Sequence, residues 1–299
     1  MDDVPSPPSP ARRSPHPRGT SSTPGLATTR TGRVGEPLVQ FVEESVTRAQ
    51  QIDDPQGSAL EFVGDQFRAV AGILCRDSYD SGRRLATAAA QSAQTAGFMA
   101  YESKRDGETQ RWYLTGLRAA HAADRPLTAS ILSLMRNQAA TLGRTSDALQ
   151  LADAAQEAAT DAPATVQALV HARSGLAHAA AGDIGAFRRT RDNTFSQLDI
   201  FACHTAEPGP RWAYYASPLG LDAINGRSLS ILIRCFPARQ DRLLTEAEGL
   251  LRARALEDDP VFQRSALCHS AWLALAHNQC GQLEQAGICG RRSLDSFPR

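Results

Sequence analysis

The chain has 299 residues, 42% of them hydrophobic but only 6% aromatic, and its 32 basic side chains are matched by 32 acidic ones. That length allows one large or two modest domains with a real core, and the charge balance, with a pI near 7.0, excludes the basic excess that drives phosphate-backbone binding. With so few rings the core must be assembled from Ala, Leu and Val at close spacing, which favours helices.

Residues 1–35 are crowded with Pro, Ser, Thr and Arg and carry too little apolar surface to offset the entropy of ordering, so a disordered tail is expected there. Arg12, Arg13, Arg18, Arg30 and Arg33 against Asp2 and Asp3 leave that tail at net +3, enough for weak, salt-sensitive contact with phosphate. A solvated linker is the simpler expectation. The Arg12-Arg13 pair is not followed by an apolar run, so no export signal is read. No stretch approaches the roughly 18 apolar residues of a membrane helix. A cytoplasmic chain without membrane contact follows. The six cysteines show no C-x-x-C spacing and fit reduced, buried thiols.

A folded domain is expected from Glu36 to the end of the chain. Apolar residues recur there at spacings of 3 and 4: Leu38, Phe41, Val42, Val46 and Ala49 share one face, as do Leu60, Val63, Phe67, Val70 and Leu74. The same periodicity predicts helices over 82–104, 109–123, 127–142, 146–159, 164–181, 185–200, 218–236, 240–256, 260–279 and 283–295. No strand is predicted. Pro55, Pro126, Pro163, Pro218 and Pro260 stand where helices should begin, a position proline tolerates because its missing N–H has no partner there anyway.

Gly107, Gly143, Gly182 and Gly281 each close one helical run and open another, the first three 36 and 39 residues apart, which points to an internal repeat. One such turn is lost near Pro237, with an insertion around 202–216. Residues Leu132, Met135, Ala139, Gly143, Ala148, Ala152 and Ala155 resemble the tetratricopeptide repeat, in which small residues line paired helices. Gly175 and Gly182 in segment 171–187, and Leu273, Gly281 and Ala286 in segment 270–286, repeat parts of that pattern. The resemblance implies an all-α solenoid of antiparallel helix pairs, in which Ala148 and Ala152 let backbones approach.

The runs FVEESVTRAQQID at 41–53, QFRAVAGILCRDSYDSGRRLATAAAQSAQTAGFMAYE at 66–102 and RWYLTGLRAAHAADRPLTASILS at 111–133 resemble the C-terminal domain of actinobacterial helix-turn-helix regulators. That likeness implies a role in transcriptional regulation and carries no catalytic residue. The DNA-binding domain of those proteins needs roughly 55–65 residues to hold a core, and the segment before Glu36 has neither the length nor the apolar residues. Direct nucleic-acid binding by this chain is therefore not expected.

No nucleophile elbow, P-loop, dinucleotide fingerprint or H-E-x-x-H is present, so no enzyme activity, cofactor or metal is expected. In the cluster Cys268, His269, His277 and Cys280, His277 and Cys280 share a helix face, but Cys268 lies about three turns away. Cys203-His204 is a bare pair in an expected loop. The tetratricopeptide resemblance places Asn137 where an asparagine bonds the backbone of a bound peptide, and the same register brings Tyr101, Lys104, Arg105, Arg173 and Asn278 near that inner face. Trp212, Tyr214 and Tyr215 form a second candidate surface, although aromatics in an insertion usually plug it.

These features lead to a non-enzymatic regulatory or scaffold protein that binds a protein or peptide partner in a helical-repeat groove, with room for a homodimer. Two alternatives stay open: a small-ligand sensor, and a DNA-binding regulator whose first domain lies upstream of the start. A closed apolar cavity would favour the sensor, and an open polar groove the peptide reader.

Overall fold

The computed structural model describes residues 35–56, 60–75, 82–121, 123–203, 209–213, 215–259 and 262–295. The expected tail, up to Val34, lies outside them, as does Pro260. Twelve α-helices occupy the described residues: α1 Glu36–Gln56, α2 Leu60–Leu74, α3 Gly82–Glu102, α4 Asp106–His121, α5 Arg125–Thr141, α6 Thr145–Ala158, α7 Ala164–Ala180, α8 Ile184–Cys203, α9 Pro218–Ile233, α10 Gln240–Ala255, α11 Gln263–Gln279 and α12 Leu283–Asp295. Helices α3 to α12 pack as five consecutive pairs, and the first helices α5, α7, α9 and α11 also stack in sequence. The result is an all-α solenoid of helix pairs: the helices are those the periodicity predicts, and the paired stacking is what the tetratricopeptide resemblance implies.

The turn inside a pair recurs with fixed geometry. Gly143, Gly182 and Gly281 adopt φ of 73°, 74° and 74°, a left-handed conformation that only glycine enters freely. In each case the next residue's N–H returns to the carbonyl five residues back: Arg144 to Ala139 at 2.9 Å, Asp183 to His178 at 2.9 Å, Gln282 to His277 at 3.0 Å. The first pair closes the same way, with Arg105 N–H on the Ala100 carbonyl at 2.9 Å, but the left-handed residue is Lys104, at φ 60°. Gly107 instead lies within the first turn of α4. The repeat is therefore more regular than the glycines suggest, since positions 104, 143 and 182 are 39 residues apart. Between α9 and α10 a 3-10 turn, Pro237–Arg239, replaces this closure.

Helix starts follow capping chemistry. Asp124 Oδ1 accepts from Leu127 N–H at 2.9 Å and Ser217 Oγ from Gly220 N–H at 3.2 Å, each ahead of a proline in the first turn. Pro163 precedes α7 without a side-chain cap. Pro55 departs from expectation: α1 runs through it to Gln56, and the next helix starts at Leu60.

Within the pairs, small side chains set the spacing. Ala148 and Ala152 are buried with Ala139 and Ala177, flanked by Leu149. A Cβ on Gly97 would lie 2.5 Å from the Tyr113 ring, and one on Gly226 2.7 Å from Leu251, so these backbones approach closer than any alanine permits. The helix α1 docks by a valine row, Val39, Val42 and Val46, against Val70, Leu85 and Ala88. Phe41, placed on that face by its spacing, is 65% exposed, and Leu38 is exposed beside it. The buried stripe is the narrower one that a single neighbouring layer can cover.

Adding bulk at Ala152 should strain the α5–α6 contact. Ala152→Leu is expected to lower unfolding free energy by roughly 1–3 kcal/mol, read from urea denaturation of the two proteins side by side.

Candidate ligand-binding inner face

The superhelix closes on itself. Arg227 of α9 donates from Nη2 to the Tyr101 hydroxyl of α3 at 3.1 Å, 126 residues away, and Arg264 of α11 pairs with Glu102 at the end of α3. Beyond its contact with α3, α1 also touches α11 and the 3-10 turn Arg211–Ala213. The first and last repeats thus meet across the inner face, and α1 bridges them.

Polar side chains from four stacked helices converge there. Tyr101 lies 2.7 Å from Thr141 Oγ1, which itself donates to the Asn137 carbonyl at 2.9 Å. Since Thr141 spends its proton on that carbonyl and Tyr101 accepts from Arg227, the direction is fixed: Arg227 to Tyr101 to Thr141 to Asn137. Arg173 of α7 donates from Nη1 to Ser133 Oγ at 2.8 Å and Ser130 Oγ at 3.3 Å, and from Nη2 to the Tyr215 hydroxyl at 3.0 Å. Its guanidinium also lies 5.1 Å from the Tyr215 ring centroid, a cation–π contact. Arg227 stacks 4.7 Å from the Trp272 ring.

Arg136, at the centre of α5, is 0% exposed, and none of its three guanidinium nitrogens has a hydrogen-bond partner. Burial, with the like charges of Arg173 and Arg227 behind it, pulls its pKa well down; the Tyr101 oxygen acts the other way. Its position has a repeat meaning. Counting seven back from the left-handed residues 104, 143 and 182 gives Gly97, Arg136 and Gly175. Gly97 abuts Tyr113 and Gly175 abuts Phe187, whereas the 39-residue register places Ala152 and Ala148 in the ring positions. Where those pairs carry a ring on the second helix, this one carries alanine there and an arginine on the first.

The residues singled out from sequence divide into two groups. Tyr101 and Arg173, 8% and 6% exposed, belong to two separate hydrogen-bonded groups, Tyr101 with Arg227, Thr141 and the half-buried Asn137, Arg173 with Ser130, Ser133 and Tyr215. Lys104 and Arg105 are exposed at the α3–α4 turn, Lys104 with its ammonium 5.7 Å from the Tyr101 ring and Arg105 bonded to Glu108 at 2.6 Å. Asn278 is exposed near the end of α11. Arg136 and Arg227 were not singled out; an arginine standing in register with two glycines is the signal that marks Arg136. In the insertion, Trp212 is buried in the core and Tyr215 packs partly against it, while Tyr214 lies outside the described residues.

The Cys/His cluster is dispersed. Cys268 is exposed, His269 Nδ1 lies 2.7 Å from the Ser265 carbonyl and His277 Nδ1 2.9 Å from Gln282 Oε1. Among the described residues no three His, Cys, Asp or Glu side chains lie close enough to hold a metal ion, and no helix is long and apolar enough to cross a membrane. His204 lies outside the described residues. A cleft of about 420 Å³ lies at the starts of α3 and α5, lined by Arg83, Arg84, Thr87, Asp124 and Arg125. Two of its arginines are engaged: Arg84 grips Glu36 and Glu43 at 2.8 and 2.7 Å, and Arg125 lies 3.6 Å from Asp161. A partly open recess of about 30 Å³ between Gln156, Thr160, Gln167 and His171 is of a size for water only.

No family model matches the chain, and no curated protein does. Among solved structures, BtubC (BKLC) from P. vanneervenii is similar, with a TM-score of 0.50 at 12% identity, over 80% of this chain and 93% of that one. At that identity the likeness concerns the fold alone, and it agrees with the helical-repeat architecture.

Helix α11 also sets a pH dependence. Desolvation, reinforced by Arg227 and Arg254, lowers the His269 pKa to about 4 against its ordinary 6.5, although the Ser265 carbonyl favours the protonated ring. Between pH 6.5 and about 4 the unfolded chain takes up a proton that the folded chain refuses, so His269 makes stability fall as pH drops through that window. His269→Gln should flatten this part of the profile in thermal unfolding measured across the same range.

Proposed function

We propose that this chain is a non-enzymatic regulatory protein that binds its ligand on the inner face of the helical repeat. The observation that supports this is convergence: Tyr101, Arg136, Arg173 and Arg227 come from four helices spread over 126 residues and meet where the superhelix closes. Arginines gathered there serve recognition of acidic groups well, since a guanidinium offers five donors in a fixed fork. The resemblance of 41–133 to the C-terminal domain of helix-turn-helix regulators suggests transcriptional control as the setting. Balanced charge over the chain argues for action through partners, without direct contact to nucleic acid.

Two kinds of ligand are in view. A protein or peptide partner is supported by the rim, where Lys104, Arg105 and Asn278 are exposed. A small acidic ligand is supported by the centre, where Tyr101, Arg136 and Arg173 are buried and α1 bridges the first and last repeats. That closure leaves an extended peptide little of the polar surface, and we favour the small ligand.

Native mass spectrometry of the full chain against a pool of acidic metabolites, and separately a pool of acid-terminated peptides, tests both. Adducts from the metabolite pool are expected, and they should be lost in the Asn137→Ala, Arg173→Ala double variant with its helical circular dichroism intact. Peptide adducts with the same sensitivity would select the partner-binding form, and adducts indifferent to the double variant would remove the inner face from the function.

A further inference from the structure

Arg136 poses a physical problem that the fold alone does not solve. A guanidinium with no exposed surface and no acceptor on any of its three nitrogens bears a large desolvation penalty. Its neighbours deepen the problem. Arg173 and Arg227 add positive charge, and Glu102, the acidic side chain that α3 brings to the closure, pairs with Arg264. Arg173 has directed its nitrogens to neutral hydroxyls, and the buried Nε of Arg227 has no acceptor. Arg136 therefore feels the charge of two further guanidiniums, and the groups that those two reach are neutral serine and tyrosine hydroxyls. Packing at this register calls for volume and not for a charge, since in the neighbouring repeats Gly97 and Gly175 hold the same place against the Tyr113 and Phe187 rings.

We propose that Arg136, Arg173 and Arg227 form a binding site for a small oxyanion, the phosphoryl or carboxylate group of a ligand held at the centre of the inner face. This rests on the inner face being the binding surface, and adds to it the chemical class of the ligand and the residue at the site's base. An oxyanion there accepts from the Arg136 nitrogens, offsets the mutual repulsion of three cations and leaves the Tyr101 and Tyr215 hydroxyls as flanking partners. Planar forks match both phosphate and carboxylate geometry. The half-buried Arg227 is the member that meets the ligand first.

The test uses the full chain at constant ionic strength, with millimolar inorganic phosphate in one arm, malonate in a second and chloride in a third. Either oxyanion should raise the thermal midpoint saturably, on the order of 5 °C at a hundredfold excess over Kd, where chloride does not. Phosphate alone would assign a phosphoryl group, malonate alone a carboxylate. Arg136→Met keeps the stem and removes the charge: its midpoint in chloride should equal or exceed that of the parent, and its oxyanion response should vanish. Arg227→Gln, at a less buried site, should weaken the response about tenfold and serves if Arg136→Met does not fold. A parent indifferent to both oxyanions, or a response that persists in these variants, overturns the proposal. If the metabolite or peptide adducts that depend on Asn137 and Arg173 are still found in that case, the inner face remains the binding surface and only the oxyanion site falls.

Discussion

The close approach of paired backbones is the constraint on which the rest of this structure depends. At Gly97 against Tyr113 and Gly226 against Leu251 the space where a Cβ would stand is already taken by a side chain of the other helix, and at Gly175 the Phe187 ring would stand only 3.1 Å from it. Each pair is therefore locked at a spacing that tolerates one large residue opposite none. The locked pairs, four of them closed internally by a turn of similar left-handed φ, stack with enough curvature for α3 to meet α9 and α11. Without that regularity, Tyr101 and Arg227 would not come within hydrogen-bonding distance.

The second pair keeps the spacing but inverts the roles. Its large residue, Arg136, sits on the first helix, and its small ones, Ala148 and Ala152, on the second. The swap preserves volume while exchanging a ring for a cation. A tyrosine or phenylalanine in that space is content among alanines; a guanidinium is not, because hydrocarbon offers it no acceptor. Packing accounts for the arginine's stem and leaves its head unexplained, which separates Arg136 from Arg173, whose head is satisfied by Ser130, Ser133 and Tyr215.

Helices, their pairing and the small-residue contacts were legible in the sequence because all three are local: apolar spacing, glycine turns and proline starts act within one or two turns of chain. The left-handed turn at Lys104 was not, since non-glycine residues rarely adopt that conformation and Gly107 lay close enough to be mistaken for it. Repeat register singles out Tyr101 and Arg173 as inner-face residues of the solenoid. Register says nothing of how tightly the superhelix winds, so an open groove was expected where these residues are nearly buried. Curvature accumulates from small rotations at every pair, and the contact across 126 residues that records it has no local trace. Phe41 shows the same limit in miniature: its spacing fits the apolar face of α1, but the layer beneath is too narrow to cover it.

How α1 stays in place bears on what the inner face can do. Arg84 holds Glu36 and Glu43 through four hydrogen bonds of 2.7–2.9 Å, yet all three side chains are more than a third exposed, where ion pairs are screened and contribute little. The valine row does most of the work: Val39, Val42 and Val46 are buried against Val70, Leu85 and Ala88, and each buried side chain of this size contributes about 1.5–3 kcal/mol. Helix α1 is thus fixed to α3 by an apolar strip that salt does not weaken, and reaches α11 as a consequence. Arg136 and Arg173 are themselves buried, and in that lowered dielectric their charges act more strongly on their neighbours than they would at a surface.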